Sequence, residues 1–200
     1  MSHTKTVVVT GFGPFGEHKV NASSVAVQEL KKLNLGDDVS LVTEEMPVIY
    51  EDIQEIVPSL WKQHQPILLI HVGVSGIAEA ITLEELAHNT GYVQRDIKMK
   101  TPDTGCCIDG GPDCIISRLD MGAVCEHINQ TNCGIQVVTS KDAGRYLCDF
   151  SYYLSLSQDC SCAAFVHVPP LGKPYTAKQL AKGLKMIIQC LLNQVVPNKM

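Results

Sequence analysis

Lys141-Asp142-Ala143-Gly144-Arg145-Tyr146-Leu147-Cys148-Asp149-Phe150-Ser151-Tyr152-Tyr153, with Phe165-Val166-His167-Val168-Pro169-Pro170 downstream, is the stretch on which the fold turns. The first piece reads as the start of a helix. Asp142 is a residue type that N-caps helices, its carboxylate accepting from first-turn N–H groups. Tyr146, Leu147, Phe150, Tyr153 and Leu154 recur at helical spacing and predict a buried stripe. The second piece belongs to a short β-run, Ala163 to Val168, stopped by two prolines that cannot continue a hydrogen-bond ladder. A helix followed by an apolar strand is the unit of an α/β sheet, and such sheets gather ligands at the carboxyl ends of their strands. Cys148, at the positive end of the helix macrodipole, and His167, at the strand end, are therefore a candidate nucleophile and base. Taken singly, a cysteine is most often a packing residue and a valine-flanked histidine a core one. Their pairing carries the reading.

Upstream, the same alternation repeats. Thr6 to Thr10 reads as a buried parallel strand, followed by the loop Gly11-Phe12-Gly13-Pro14-Phe15-Gly16. Asn21-Ala22-Ser23-Ser24 caps a helix to about Leu33. Val39 to Thr43 is a second strand, and Tyr50 to Gln63 a helix with Ile53, Ile56, Val57 and Leu60 on one face. Ile67 to Val72 is a third strand ending in the turn Gly73-Val74-Ser75-Gly76, and Ala80 to Leu86 reads as another. Asn89 to Asp113 has no periodicity and contains Gly, Pro and Cys, which suggests a functional flap. Asp120 to Gln130 (helix), Ile135 to Thr139 (strand) and a final helix from Ala177 to about Leu192 complete the pattern, with a frayed tail expected from about Val195. The sum predicts one domain over residues 1–200: a doubly wound, three-layer α/β/α sandwich on a mainly parallel, twisted sheet.

Composition bounds the function. The chain has 200 residues, 45% hydrophobic and 18% charged, with net charge −5, the profile of a globular domain large enough to bury its own core. Mild acidity without a Lys/Arg cluster argues against a nucleic-acid partner, and no apolar run reaches membrane-span length. The polar start passes straight into a strand and glycine loop, unlike a signal peptide. Nine cysteines, an odd number, then point to reduced thiols in the cytosol. None is spaced with histidines as zinc ligands are, so no metal is expected.

Gly11-x-Gly13-x-x-Gly16 after a strand matches a dinucleotide fingerprint by pattern. However, Pro14 intervenes and the helix caps arrive only at Asn21 and Ser23, too late for a helix N-terminus to face a pyrophosphate. Phe12 and Phe15 either anchor the loop to the core or form aromatic walls of an apolar pocket at the sheet edge.

Thr10 to Gly16 with Asn21, the turn His71 to Gly76, Leu83-Glu84, the block Asp142 to Tyr153 and His167-Val168-Pro169-Pro170 together resemble the pyroglutamyl-peptidase I family, cysteine peptidases of family C15. The vertebrate pyroglutamyl-peptidase I-like branch is the nearest in pattern, and the resemblance runs from about Lys5 to Leu192. It implies a cytosolic exopeptidase that removes N-terminal 5-oxoproline from small peptides without a cofactor. Assembly differs among members of the family, and a monomer is expected here. It also implies Cys148 as nucleophile, His167 as base and Glu84 as the group orienting the imidazole. A flat, uncharged lactam needs apolar walls rather than a counter-ion, and Phe12, Phe15 and Val74 are the residues expected against it. Glu85 and Asp96 are the other carboxylates in reach by sequence. Strand alternation sends Glu84 and Glu85 to opposite faces, and the resemblance selects Glu84. Asn21 reads as a helix cap. One departure stands out: the family carries an arginine shortly after the flap aspartate, where this chain has Asp96-Ile97-Lys98-Met99-Lys100. The divergent flap motivates one alternative, a paralogue that binds pyroglutamyl peptides without turning them over. A nucleotide-binding protein using the glycine loop is the other.

Overall fold

The computed structural model describes residues 4–15 and 20–195. Among them a six-stranded sheet runs in the order β2-β1-β3-β8-β4-β7. Its strands are β1 (Lys5–Phe12), β2 (Val39–Met46), β3 (Leu68–Val74), β4 (Ile81–Glu84), β7 (Val137–Ser140) and β8 (Ala163–Val168). β2, β1, β3 and β8 are parallel. β4 pairs antiparallel with β8 and parallel with β7, so the last two strands are inverted. Helices α1 (Ala22–Leu30), α3 (Met121–Gln130) and α5 (Ala177–Val195) bury their apolar stripes on one face. α2 (Tyr50–His64) and α4 (Leu147–Gln158) cover the other. This is the three-layer sandwich expected of alternating strands and helices.

Strand alternation distributes the core. Val7 and Val9 face the α1/α5 layer, whereas Val8 packs with Leu60 and Leu69 on the α2 side. α4 is the exception to one-sided burial. Phe150, Tyr152, Tyr153 and even Asp149, Ser151 and Ser155 are fully buried, because α4 also touches α2 and the short strands β5 (Leu86–His88) and β6 (Cys114–Ile116). A helix covered from several sides buries polar as well as apolar positions, which is why a single apolar stripe understates it.

Several expected boundaries move. β1 continues through Gly11 and Phe12, which pair with Glu45 and Met46. Gly11 permits this because a Cβ there would meet the α1 backbone at Ser23 and Ser24, 3.0–3.1 Å away. α1 stops at Leu30 rather than Leu33. The expected Ala80–Leu86 strand is two strands. β4 ends at Glu84, and after Glu85 the chain leaves the main sheet as β5 (Leu86–His88), paired with β6 (Cys114–Ile116) in a separate two-stranded sheet. The 89–113 segment between them is irregular, as expected, and Asn89 pins it. Its amide donates to the Ile108 and Gly111 carbonyls, and its Oδ1 accepts from the Ile108 N–H. Asp142 is not the cap of α4. The capping position is Tyr146, with extended backbone and no side-chain cap. Asp142 instead accepts from the Gly144 N–H and Arg145 Nη1 in the preceding turn. Gly16 and the expected tail at 196–200 lie outside the described residues, while Val195 closes α5.

Candidate active site

Glu84 is the last residue of β4 and His167 the penultimate residue of β8. In the antiparallel register Glu84 stands opposite Phe165, and Thr82 opposite His167. Glu84 and His167 are thus diagonal neighbours on one face, within reach of long side chains. His167 Nδ1 lies 2.7 Å from Glu84 Oε1. Both are buried, at 7% and 2% exposure, which strengthens a charge-assisted bond. Glu84 Oε2 is buried with no partner among the described residues, so His167 is the carboxylate's side-chain contact there.

Cys148 is the second residue of α4, where first-turn N–H groups lack intrahelical acceptors. Its sulfur rests on β3. A Cβ on Gly73 would lie 2.8 Å from Cys148 Sγ and 2.8 Å from Phe165 Cζ, and Gly73 is the register partner of His167. The imidazole is electrostatically coupled to this sulfur. Burial lowers the pKa of His167, but the charge and hydrogen bond of Cys148, and then those of Glu84, outweigh it and raise it to about 10.

Cys148, His167 and Glu84 line one cleft of about 590 Å³, and Phe12, Phe15 and Val74 line it too. All six residues singled out from sequence therefore meet at a single site. Asn21 borders it as well, but is occupied as a cap: its Oδ1 accepts from the Ser23 N–H and its amide donates to the Gly13 carbonyl. The other two carboxylates weighed from sequence lie elsewhere. Asp96 accepts from the N–H groups of Tyr50, Lys98 and Lys100. Glu85 lies 3.7 Å from Lys141 Nζ. In the flap, none of Ile97, Lys98, Met99 and Lys100 lines the cleft. Lys98 pairs with Asp52 and Lys100 with Glu51 on the first turn of α2, and Met99 lines a different hollow.

Sequence reading missed three contributors. Gly73 was visible only as a turn residue, although a glycine before a strand end is the usual sign of close approach. Tyr146 borders the cleft, and its hydroxyl donates to the Arg95 carbonyl at the flap root. Asp149, fully buried beside Cys148, accepts from the His88 N–H and the Tyr92 hydroxyl. Burial raises its carboxyl pKa. An acidic residue amid an apolar run was the available signal for it. The glycine loop does not open a helix: Gly11 lies within β1 and α1 begins at Ala22. Among the described residues no cluster could hold a metal ion and no helix is long and apolar enough to cross a membrane.

A three-layer α/β sandwich whose thiol, imidazole and carboxylate line one cleft at the strand ends has the make-up of a cysteine hydrolase. The family model described as pyroglutamyl peptidase matches residues 5–196, and the chain belongs to that family. It is 54% identical over 189 residues to pyroglutamyl-peptidase 1 of Homo sapiens, covering 94% of this chain and 90% of that protein. Against the pyroglutamyl-peptidase 1-like protein of Homo sapiens the identity is 44%, over 84% of this chain and 85% of the relative. Among solved structures, the pyrrolidone carboxyl peptidase of Fervidobacterium islandicum superposes with a TM-score of 0.84 at 29% identity, over 92% of this chain and 97% of that one.

Proposed function

We propose that this protein is a cysteine exopeptidase that hydrolyses the bond after an N-terminal pyroglutamyl residue, with Cys148 as nucleophile, His167 as general base and acid, and Glu84 as the orienting group. One observation carries the assignment of roles: the 2.7 Å Glu84–His167 contact in the cleft that Cys148 also lines. His167 takes the thiol proton, and the sulfur attacks the pyroglutamyl carbonyl. Backbone N–H groups of the first turn of α4 stabilise the tetrahedral oxyanion. On collapse the C–N bond breaks and His167 returns the proton to the departing amine. Water, deprotonated by His167, then cleaves the thioester and releases 5-oxoproline. Glu84 fixes the ring and stabilises its charged form.

Specificity follows from the walls. A 5-oxoproline ring is a flat, uncharged lactam that suits a slot between Phe12, Phe15 and Val74. A peptide beginning with proline or glutamate brings a cationic nitrogen, which is costly to desolvate there. The alternative of binding without turnover has no specific observation behind it. The reading extends to a cytosolic, cofactor-independent monomer acting on small peptides. The test is release of fluorophore from a pyroglutamyl amide under reducing conditions, beside Cys148→Ala. Thiol-dependent turnover that disappears in the variant is the expected result. Equal rates for the two proteins, or none from folded wild type, reject the proposal.

A further inference from the structure

His71 has no part in the chemistry above, yet it is fully buried two residues before Gly73. Its Nδ1 lies 2.7 Å from Thr10 Oγ1 and its Nε2 2.7 Å from Ser155 Oγ. Ser155 also accepts from Trp61 Nε1, at 3.1 Å. One imidazole thus joins β1, β3 and α4, and through Ser155 the chain reaches α2. Burial holds the His71 pKa down to about 3. The ring is therefore neutral, with one donor and one acceptor nitrogen, and hydroxyls can complete both. Such a fully satisfied buried chain is geometrically demanding, because each lost partner leaves a desolvated polar atom.

Its placement bears on the sulfur. Ser155 follows Cys148 by seven residues, two turns along the same face of α4. His71 and Gly73 share one face of β3. α4 therefore meets β3 at two points, Cys148 against Gly73 and Ser155 bonded to His71. The first is a contact that can slide, and the second is a directional bond that cannot.

We propose that His71 is a positioning residue for Cys148. Through Ser155 and Thr10 it fixes how far α4 lies along β3, and hence where the sulfur sits beside His167. The inference rests on Cys148 being the nucleophile, but its test does not depend on turnover alone. His71→Leu, Ser155→Ala and their combination are compared with wild type by three readouts. These are kcat and KM on the pyroglutamyl amide, the rate of Cys148 alkylation by iodoacetamide followed by peptide mass, and the melting temperature. A displacement near 1 Å costs about 10²-fold in rate. His71→Leu is therefore expected to lower kcat by about ten- to a hundredfold with KM nearly unchanged, and to slow alkylation. Ser155→Ala acts in the same direction, and the double variant loses little more than His71→Leu alone. Lower melting temperatures with kcat and alkylation intact would show a purely structural role and overturn the proposal. If His71→Leu does not fold, Ser155→Ala decides by the same criteria. Wild type that alkylates at Cys148 but releases no fluorophore rejects the peptidase reading, while the alkylation series still decides the positioning role.

Discussion

Gly73→Ala is the sharpest probe of the site, because one methyl group reaches both sulfur and core. The new Cβ would stand 2.8 Å from Cys148 Sγ and 2.8 Å from Phe165 Cζ, whereas ordinary contact begins at about 3.4 Å. Each gap must open by about 0.6 Å, the difference between those two distances. Phe165 cannot yield outward, since it is fully buried and its ring packs against His167 and Tyr152. The strain therefore falls on Cys148 and the first turn of α4. Overpacking of this kind costs about 1–3 kcal/mol of stability. The rate suffers more: a displacement approaching 1 Å at the reacting atom corresponds to roughly a hundredfold in kcat. The assay is kcat and KM on a fluorogenic pyroglutamyl amide, with melting temperature alongside. A folded Gly73→Ala protein with wild-type kcat would refute the claim that the sulfur is seated against β3.

The same site and its flap fix three further outcomes. His167 is raised to about 10 by Cys148 and Glu84 despite its burial, against about 6.5 in the unfolded chain. Its contribution to stability is then full below about pH 6.5 and lost as the pH rises toward 10. Cys148→Ala should flatten the melting-temperature profile across that window, and an unchanged slope would contradict the coupling. In the flap, Asp96→Ala removes a buried acceptor of three N–H groups, with an expected loss of about 2–3 kcal/mol in chemical denaturation. Replacing the exposed Lys98 and Lys100 should leave stability nearly unchanged, and a reversed ranking would mean that surface ion pairs hold the flap. Phe15→Ala trims a half-buried cleft wall and should raise KM about tenfold or more, by the transfer energy of a phenyl group. A change confined to kcat would argue that Phe15 does not touch the substrate.

The flap shows how local chemistry holds a segment apart from the cleft. Asp96 folds the 96–100 turn around its own carboxylate and ties it to Tyr50 at the start of α2. Tyr50 and Tyr146 then meet edge to face with centroids 5.9 Å apart, and their hydroxyls donate to the Gln94 and Arg95 carbonyls. The anchors are backbone groups and aromatic rings, so side chains beyond Asp96 can vary without moving Tyr146 at the cleft edge.

Much of this protein was legible in the chain itself. The Val-rich runs at 7–9 and 163–168 and the helical stripe at 53–60 dictate alternating strands and helices, because their periodicities are set by backbone geometry. The candidate site was legible too, but through motifs that match a family rather than through spacing alone. Local signals failed where a distant segment supplied the deciding contact. Asp142 has the chemistry of a cap, yet Arg145 and Gly144 claim its carboxylate. Ala80 to Leu86 has the pattern of one strand, yet pairing with β6 draws the chain away after Glu84. The antiparallel pairing of β4 with β8, which puts Glu84 diagonal to His167, is invisible in either strand because register depends on both partners. Nor could the sequence reveal that Gly73 receives the Cys148 sulfur, or that His71 bonds at once to Thr10 and Ser155. Those contacts join residues 61 to 84 positions apart, and only packing of all three layers decides them.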